Sequence, residues 1–269
     1  MDIKAAIIDL DGTLLNSDKQ VSRYSEMVLE KTVESGMHLM IATARPPRMV
    51  DPLFAIVRKA EFIIYLNGAL IRREGQPFGH CYPISTVDMK NIHRFFRRLY
   101  PDAYLIYETE QAWYANRTLS PEEAALYSRG QRDFRLPEIK SEADIEEIGV
   151  YKILFDKGGG VMEAFEKVFG NTLHVGYMLG GNPVEVMNGQ MSKEMAAEEV
   201  LRLLDIDPRD VIVFGDEYND TGLFELCGHP VAMGNAIDAV KEKAKTVTET
   251  NDNNGVAMIL EKLIETGEV

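Results

Sequence analysis

The chain has 269 residues, 45% of them hydrophobic, which suits one large domain or two modest ones and argues against disorder. Lys plus Arg number 29 against 43 Asp plus Glu, so the net charge is −14, and neither a nucleic-acid polymer nor an anionic membrane is expected as the main partner. An acidic protein that binds anions needs local cations: a metal, a few Lys or Arg, or helix N-termini.

Cys81 and Cys227 form neither a disulfide framework nor a Cys-x-x-Cys site, and both read as small buried apolar residues. The N-terminus lacks a charged then apolar leader, and no apolar run reaches the roughly 18 residues that span a membrane. The expected compartment is the cytoplasm.

The apolar run Ala5 to Leu10 predicts a buried parallel strand, stopped at the turn signal Asp11-Gly12. Residues 21–35 have helical spacing, with Val21, Tyr24, Val28, Leu29 and Val33 near one face and Gly36 at the terminating position. A second strand runs from Met37 to Ala42. Pro46 and Pro47 open a helix to about Ala60. A third strand, Glu61 to Leu66, ends at Asn67-Gly68. This β-α-β-α-β order predicts a parallel sheet whose ligands bind at the carboxyl ends of its strands.

The rhythm then changes. Residues 69–82 read as a hairpin, 86–99 as an Arg-rich helix and 103–115 as two antiparallel strands. Residues 121–148 are helical and loop material. Strands at 151–156, 172–178 and 183–187 and a helix at 159–169 complete an α+β stretch. The first rhythm returns with helices at 192–204, 219–226, 237–244 and 253–265, and strands at 211–215, 230–233 and 245–248. The expected fold is α/β: a Rossmann-like doubly wound parallel sheet built from residues 1–82 and 188–269, with an α+β cap domain inserted at 83–187.

Asp9-Leu10-Asp11-Gly12-Thr13 ends the first strand. Two carboxylates roughly 4 Å apart repel by about 4 kcal/mol at an effective dielectric of about 20, and a divalent cation removes that cost. Asp-Gly at a strand end is also an ordinary turn. A second acidic cluster, Gly215-Asp216-Glu217-Tyr218-Asn219-Asp220, follows another apolar strand, so both fall on one edge of the sheet. Thr43-Ala44-Arg45 ends the second strand; a Thr there is also an ordinary helix cap. Lys193 opens a helix, where a cation is unfavourable unless an anion lies near.

These motifs, in this order, resemble the haloacid dehalogenase superfamily of phosphohydrolases. The extended start through Ser22, the stretch Asn67-Gly68-Ala69 and the size of the insert resemble its Cof-type branch. The resemblance implies a Mg2+-dependent phosphatase of small phosphorylated metabolites such as sugar phosphates. Asp9 would be the nucleophile and Asp11 the acid–base partner. Phosphate would be held by the Leu10 N–H, Thr43, the Ala44 N–H, Lys193 and Asn219. Mg2+ would be held by Asp9, the Asp11 carbonyl and Asp216. Thr13, Arg45, Asn67 and Asp220 would support the site. Asp11 can donate a proton near neutrality only if its pKa is raised, for example by a neighbouring phosphate.

Two positions depart from the family pattern. Ala44 and Glu194 stand where Gly is usual, and a carboxylate beside Lys193 weakens anion binding unless it points away. For the insert, Tyr107, Trp113, Tyr114, Arg117, Arg129, Lys152 and Tyr177 are candidate specificity residues, each with an ordinary core or surface alternative. Arg94, Arg97 and Arg98 read as the solvated face of a helix that buries Phe95, Phe96 and Leu99. His38, His80, His93, His174 and His229 show no ligand spacing. A phosphomutase and a phospho-aspartate signalling or binding protein remain as alternatives.

Overall fold

A computed structural model describes residues 3–50, 59–73, 75, 79–128, 135–156, 158–177 and 183–268. In chain order the elements begin with β1 (Ala5–Ile8), α1 (Arg23–Glu34), β2 (His38–Ala42), α2 (Pro47–Val50), β3 (Phe62–Tyr65), β4 (Leu70–Arg73) and β5 (Gly79–Cys81). Next come α3 (Thr86–Leu99), β6 (Ile106–Glu108), β7 (Trp113–Ala115), α4 (Pro121–Ser128), β8 (Glu138–Ile139), α5 (Glu142–Glu146), β9 (Lys152–Phe155), α6 (Val161–Phe169), β10 (Leu173–Tyr177) and β11 (Val184–Asn188). The last are α7 (Lys193–Leu203), β12 (Val211–Gly215), α8 (Thr221–Leu226), β13 (His229–Ala232), α9 (Asp238–Lys241), β14 (Thr246–Val247) and α10 (Gly255–Thr266).

The chain divides into two compact units. One comprises residues 1–45, 49–80 and 191–269, the other 46–48 and 81–190. The first unit carries an eight-stranded sheet in the order β14-β13-β12-β1-β2-β3-β4-β5. Its six strands from β14 to β3 pair in parallel, and β4 runs antiparallel to β3. Every residue of β1 and β12 is buried, as a strand covered on both faces requires. From β1 the chain proceeds outward to β2 on one side, and from β12 outward to β13 on the other. The β1–β12 junction is therefore the point where connections diverge, and in open α/β sheets the ligand crevice lies outside the carboxyl ends of the strands at such a point.

The second unit carries a six-stranded sheet, β10-β11-β9-β6-β7-β8, antiparallel except for the β7–β8 pair. Alternation puts Tyr107, Ile153, Phe155, Val184 and Val186 on one face, against Phe95 and Phe96 of α3 and Phe165 and Phe169 of α6. The Phe165 and Phe169 rings lie 4.5 Å apart and those of Phe96 and Phe155 5.1 Å, within the range of favourable aromatic pairs. Ile106, Ala115 and Leu154 face the other way, toward Tyr104, Leu119 and Tyr127.

Several expectations need correction. The buried stripe of α1 is Ser25, Val28, Leu29 and Thr32, while Tyr24 and Val33 are exposed. Thr32 fits inside because its hydroxyl donates to the Val28 carbonyl, 2.9 Å away. Leu99, the last residue of α3, is 54% exposed rather than buried with Phe95 and Phe96, and Cys81 on β5 is exposed while Cys227 is buried. The 237–244 helix shortens to α9, and the two-residue β8 was not anticipated. The helix expected from Pro46 begins as α2; its stretch 51–58 lies outside the described residues. No helix among the described residues is long and apolar enough to cross a membrane.

Candidate active site

Asp9 follows β1 directly, and its N–H donates to the Phe214 carbonyl of β12 at 3.2 Å, which holds it at the crevice. The loop then folds tightly: the Leu14 N–H reaches the Asp9 carbonyl at 3.2 Å and the Leu15 N–H the Leu10 carbonyl at 2.8 Å. Gly12 makes this turn at φ +79°, and a Cβ there would overlap the carboxylate of Asp216. Thr13 Oγ1 donates to Asp216 Oδ1 at 3.0 Å. The Gly and Thr of the first motif thus seat the first carboxylate of the second.

Lys193 is the first residue of α7, behind the N-cap Ser192, and is 1% exposed. Its Nζ donates to Asp9 Oδ1 at 2.6 Å and to Asp220 Oδ1 at 2.8 Å. The other oxygen of Asp220 accepts the N–H groups of Asp216 (3.0 Å) and Glu217 (3.2 Å) and so shapes the loop after β12. Burial alone would lower the ammonium's pKa, but Asp220 and Asp9 outweigh it, and the pKa is raised. Glu194 lies against α8, where Gly222 leaves room for its carboxylate.

Asp9 is pushed well above the usual carboxylate range, chiefly by burial, with Lys193 opposing and Asp220 and Asp216 adding. Asp216 is pushed up to about 7 by burial and then by Asp220. Oxygens of Asp9, Asp216 and Asp220 all lie within 4.8 Å of one another. Three carboxylates beside one ammonium leave negative charge in excess, and the donor atoms are all hard oxygens, the set a cation such as Mg2+ takes. Asp220 spends both oxygens on ammonium and N–H donors, so Asp9 and Asp216 are the better placed ligands.

Asp11 is held differently. Arg45 grips it with two parallel bonds, Nε to Oδ2 at 2.6 Å and a terminal nitrogen to Oδ1 at 2.7 Å, and Lys19 adds a third at 2.8 Å. Burial would raise its pKa; Arg45 and then Lys19 outweigh that and hold it at about 2, so the carboxylate is ionised in this arrangement. Thr43 Oγ1 accepts the Arg45 N–H at 3.1 Å, and the Thr43 carbonyl accepts the Asn67 N–H at 2.9 Å. Asn67 sits at φ +51°, and its side-chain oxygen accepts from Asn219 Nδ2 at 3.1 Å. Gly68 lies so close to the Ser192 carbonyl that a Cβ would overlap it. Asp9, Asp216, Asp220, Lys193 and Thr13 form one cluster; Thr43, Arg45 and Asp11 are linked to one another, as are Thr43, Asn67 and Asn219. Leu10 and Ala44 lie on the loops between, Leu10 buried.

In the second unit, Tyr107 faces the helix-covered core and bonds His93 Nε2 at 3.0 Å. Arg117 is engaged by Glu123 at 2.7 Å, and Lys140 lies 4.7 Å from the Tyr114 ring centroid. On the opposite sheet face Lys152 pairs with Glu185 at 2.7 Å, and Arg48 both pairs with Glu108 at 2.5 Å and lies 4.6 Å from the Trp113 ring. Arg129 lies outside the described residues; Tyr177 closes β10. Sequence reasoning missed Arg48, Glu108 and Glu185. The available signal was a carboxylate inside an apolar strand, as in Val184-Glu185-Val186.

Comparison with known proteins gives a consistent picture. The sequence profile of haloacid dehalogenase-like hydrolases matches residues 6–260. Over 97% of this chain and 98% of the relative, it is 28% identical to the 5-amino-6-(5-phospho-D-ribitylamino)uracil phosphatase YwtE of Bacillus subtilis. It is 29% identical to the phosphatase YwpJ of the same organism, over 97% of this chain and all of that one. A haloacid dehalogenase-like hydrolase from Bacteroides thetaiotaomicron superposes with a TM-score of 0.81 at 25% identity, covering 97% of this chain and 100% of that one.

Proposed function

Because the chain belongs to the haloacid dehalogenase-like hydrolase family, we propose that it is a Mg2+-dependent phosphatase that hydrolyses small phosphomonoesters through an aspartyl-phosphate on Asp9. One observation carries the reading: a buried strand-end carboxylate, Asp9, bonded to a buried Lys193 and within ligand distance of Asp216.

An Asp9 oxygen attacks phosphorus and the ester oxygen departs, taking a proton from Asp11. The phosphate charge beside Asp11 must first raise its pKa from that of the ionised, Arg45-bound state, so that it takes up a proton from solvent. Water then attacks the aspartyl-phosphate while Asp11 accepts its proton, and inorganic phosphate leaves with Asp9 restored. Asp9, Asp216 and the Asp11 carbonyl are the proposed holders of Mg2+, which when bound neutralises charge between the carboxylate and the phosphate. Lys193 offsets the charge of Asp9 and Asp220, and with Thr43, Asn219 and the N–H groups of Leu10 and Ala44 is proposed to hold the phosphate oxygens. The unit containing residues 83–187 is proposed to choose the substrate, a small phosphorylated metabolite. The name of the YwtE relative, a phosphatase of a phosphorylated ribityl compound, supports that class.

A screen of phosphate esters with and without Mg2+, reading free phosphate, tests this. Metal-dependent release that vanishes in Asp9→Asn is the expected result. Turnover by Asp9→Asn at the wild-type rate would rule the mechanism out.

A further inference from the structure

We infer that Arg45 is the positioning residue for Asp11, and that its contribution to the reaction scales with how badly the departing group needs a proton. The inference rests on the phosphatase reading above and adds a residue to it.

Asp11 lies on the loop beyond β1 with its side chain 40% exposed, whereas the Arg45 side chain is 12% exposed. The fixed member of the pair is therefore the arginine. Its backbone is anchored on both sides: the N–H donates to Thr43 Oγ1 at 3.1 Å, and the carbonyl accepts the Leu66 N–H at 3.1 Å. The two parallel bonds from its guanidinium, 2.6 and 2.7 Å, set the plane of the carboxylate as well as its place. Lys19, 43% exposed on a flexible stem, adds charge but sets no plane. A fork can release one of its two bonds and keep the carboxylate on the other. The intact fork keeps Asp11 ionised, so only the oxygen whose bond is released takes up a proton, beside the phosphate charge, and is presented to the ester while the second stays tied to Arg45.

Proton transfer to a departing oxygen needs hydrogen-bond contact, and a misplacement of about 1 Å costs on the order of 10²-fold. That cost falls on esters whose leaving group is a strong base. An ester with a stable leaving anion barely feels it. Arg45 thus acts through Asp11 on the first half-reaction, selectively by leaving group.

The test compares kcat/KM for p-nitrophenyl phosphate and phenyl phosphate, since kcat/KM reports events up to departure of the alcohol. In Arg45→Gln, phenyl phosphate is expected to lose about tenfold or more beyond the loss on p-nitrophenyl phosphate. Arg45→Lys keeps the charge without the fork, so it is expected to restore stability but not the ratio; it also decides the matter if Arg45→Gln fails to fold. An equal loss on both esters in the folded variants, or an unchanged ratio, overturns the inference. The Asp9→Asn result stands or falls independently of this ratio.

Discussion

Lys193 is a fully buried ammonium whose two partners, Asp9 and Asp220, would be left as buried carboxylates without it. Breaking a buried ion pair from one side costs about 3–5 kcal/mol, because the remaining charge is uncompensated. Lys193→Met is therefore expected to lower unfolding free energy by about that amount in Mg2+-free urea titrations. A loss of only a few tenths of a kcal/mol, the size of a weak surface pair, would mean that the lysine is not bearing this charge. Gly12 makes a different residue-scale demand. Its φ of +79° and its closeness to Asp216 both exclude a Cβ. Gly12→Ala should cost about 1–3 kcal/mol and displace Asp216, weakening Mg2+ binding measured by calorimetry. Wild-type metal affinity in a folded Gly12→Ala protein would show that Asp216 does not depend on this turn.

At the scale of elements, α6 is held by Phe165, which is fully buried among Phe95, Phe96, Phe155 and Phe169. Phe165→Ala should remove about 3–5 kcal/mol from the second unit. Its amides on α6 and β9 would then exchange faster, while those of β1 and β12 stay protected. Uniform loss across both sheets would instead show one cooperative unit.

The elements were legible where local chemistry is strong. The apolar runs of β1, β2, β3 and β12 announced buried parallel strands, and Gly36 at φ +96° marked the end of α1. Helical periodicity located α1 but not the width of its buried stripe, since Thr32 hides its hydroxyl in an internal bond and Tyr24 reaches out to Glu261. β8 has two residues and no alternation to read. At the site, residue types at strand ends pointed to Asp9 and Asp216, and a cation at a helix start pointed to Lys193. The Arg45–Asp11 fork and the Thr13–Asp216 bond join residues 34 and 203 positions apart, and no spacing rule encodes such a pair.

The whole molecule carries a net charge of −14, with carboxylates crowded at the crevice of the first unit. Asp216 ionises at about 7 when folded against an ordinary 3.8, so the folded chain binds that proton more tightly than the unfolded one. Without metal, stability should fall as pH rises from about 4 through about 7, and raised Asp9 acts in the same sense. Asp11, lowered to about 2, contributes stability that is lost only as pH falls below its unfolded value, outside this window. Thermal melts in EDTA should thus decline between pH 5 and 8 for the wild type, decline less for Asp216→Asn, and recover most at pH 8 when Mg2+ is added. Identical slopes for the two proteins would remove Asp216 from the account. The most direct test of the whole is to quench the enzyme during turnover, reduce it with borohydride and map the modified residue by mass spectrometry. An acyl phosphate on Asp9 predicts reduction of that side chain alone and only when substrate is present. Phosphate release with Asp9 unmodified, or reduction at another carboxylate, would contradict it.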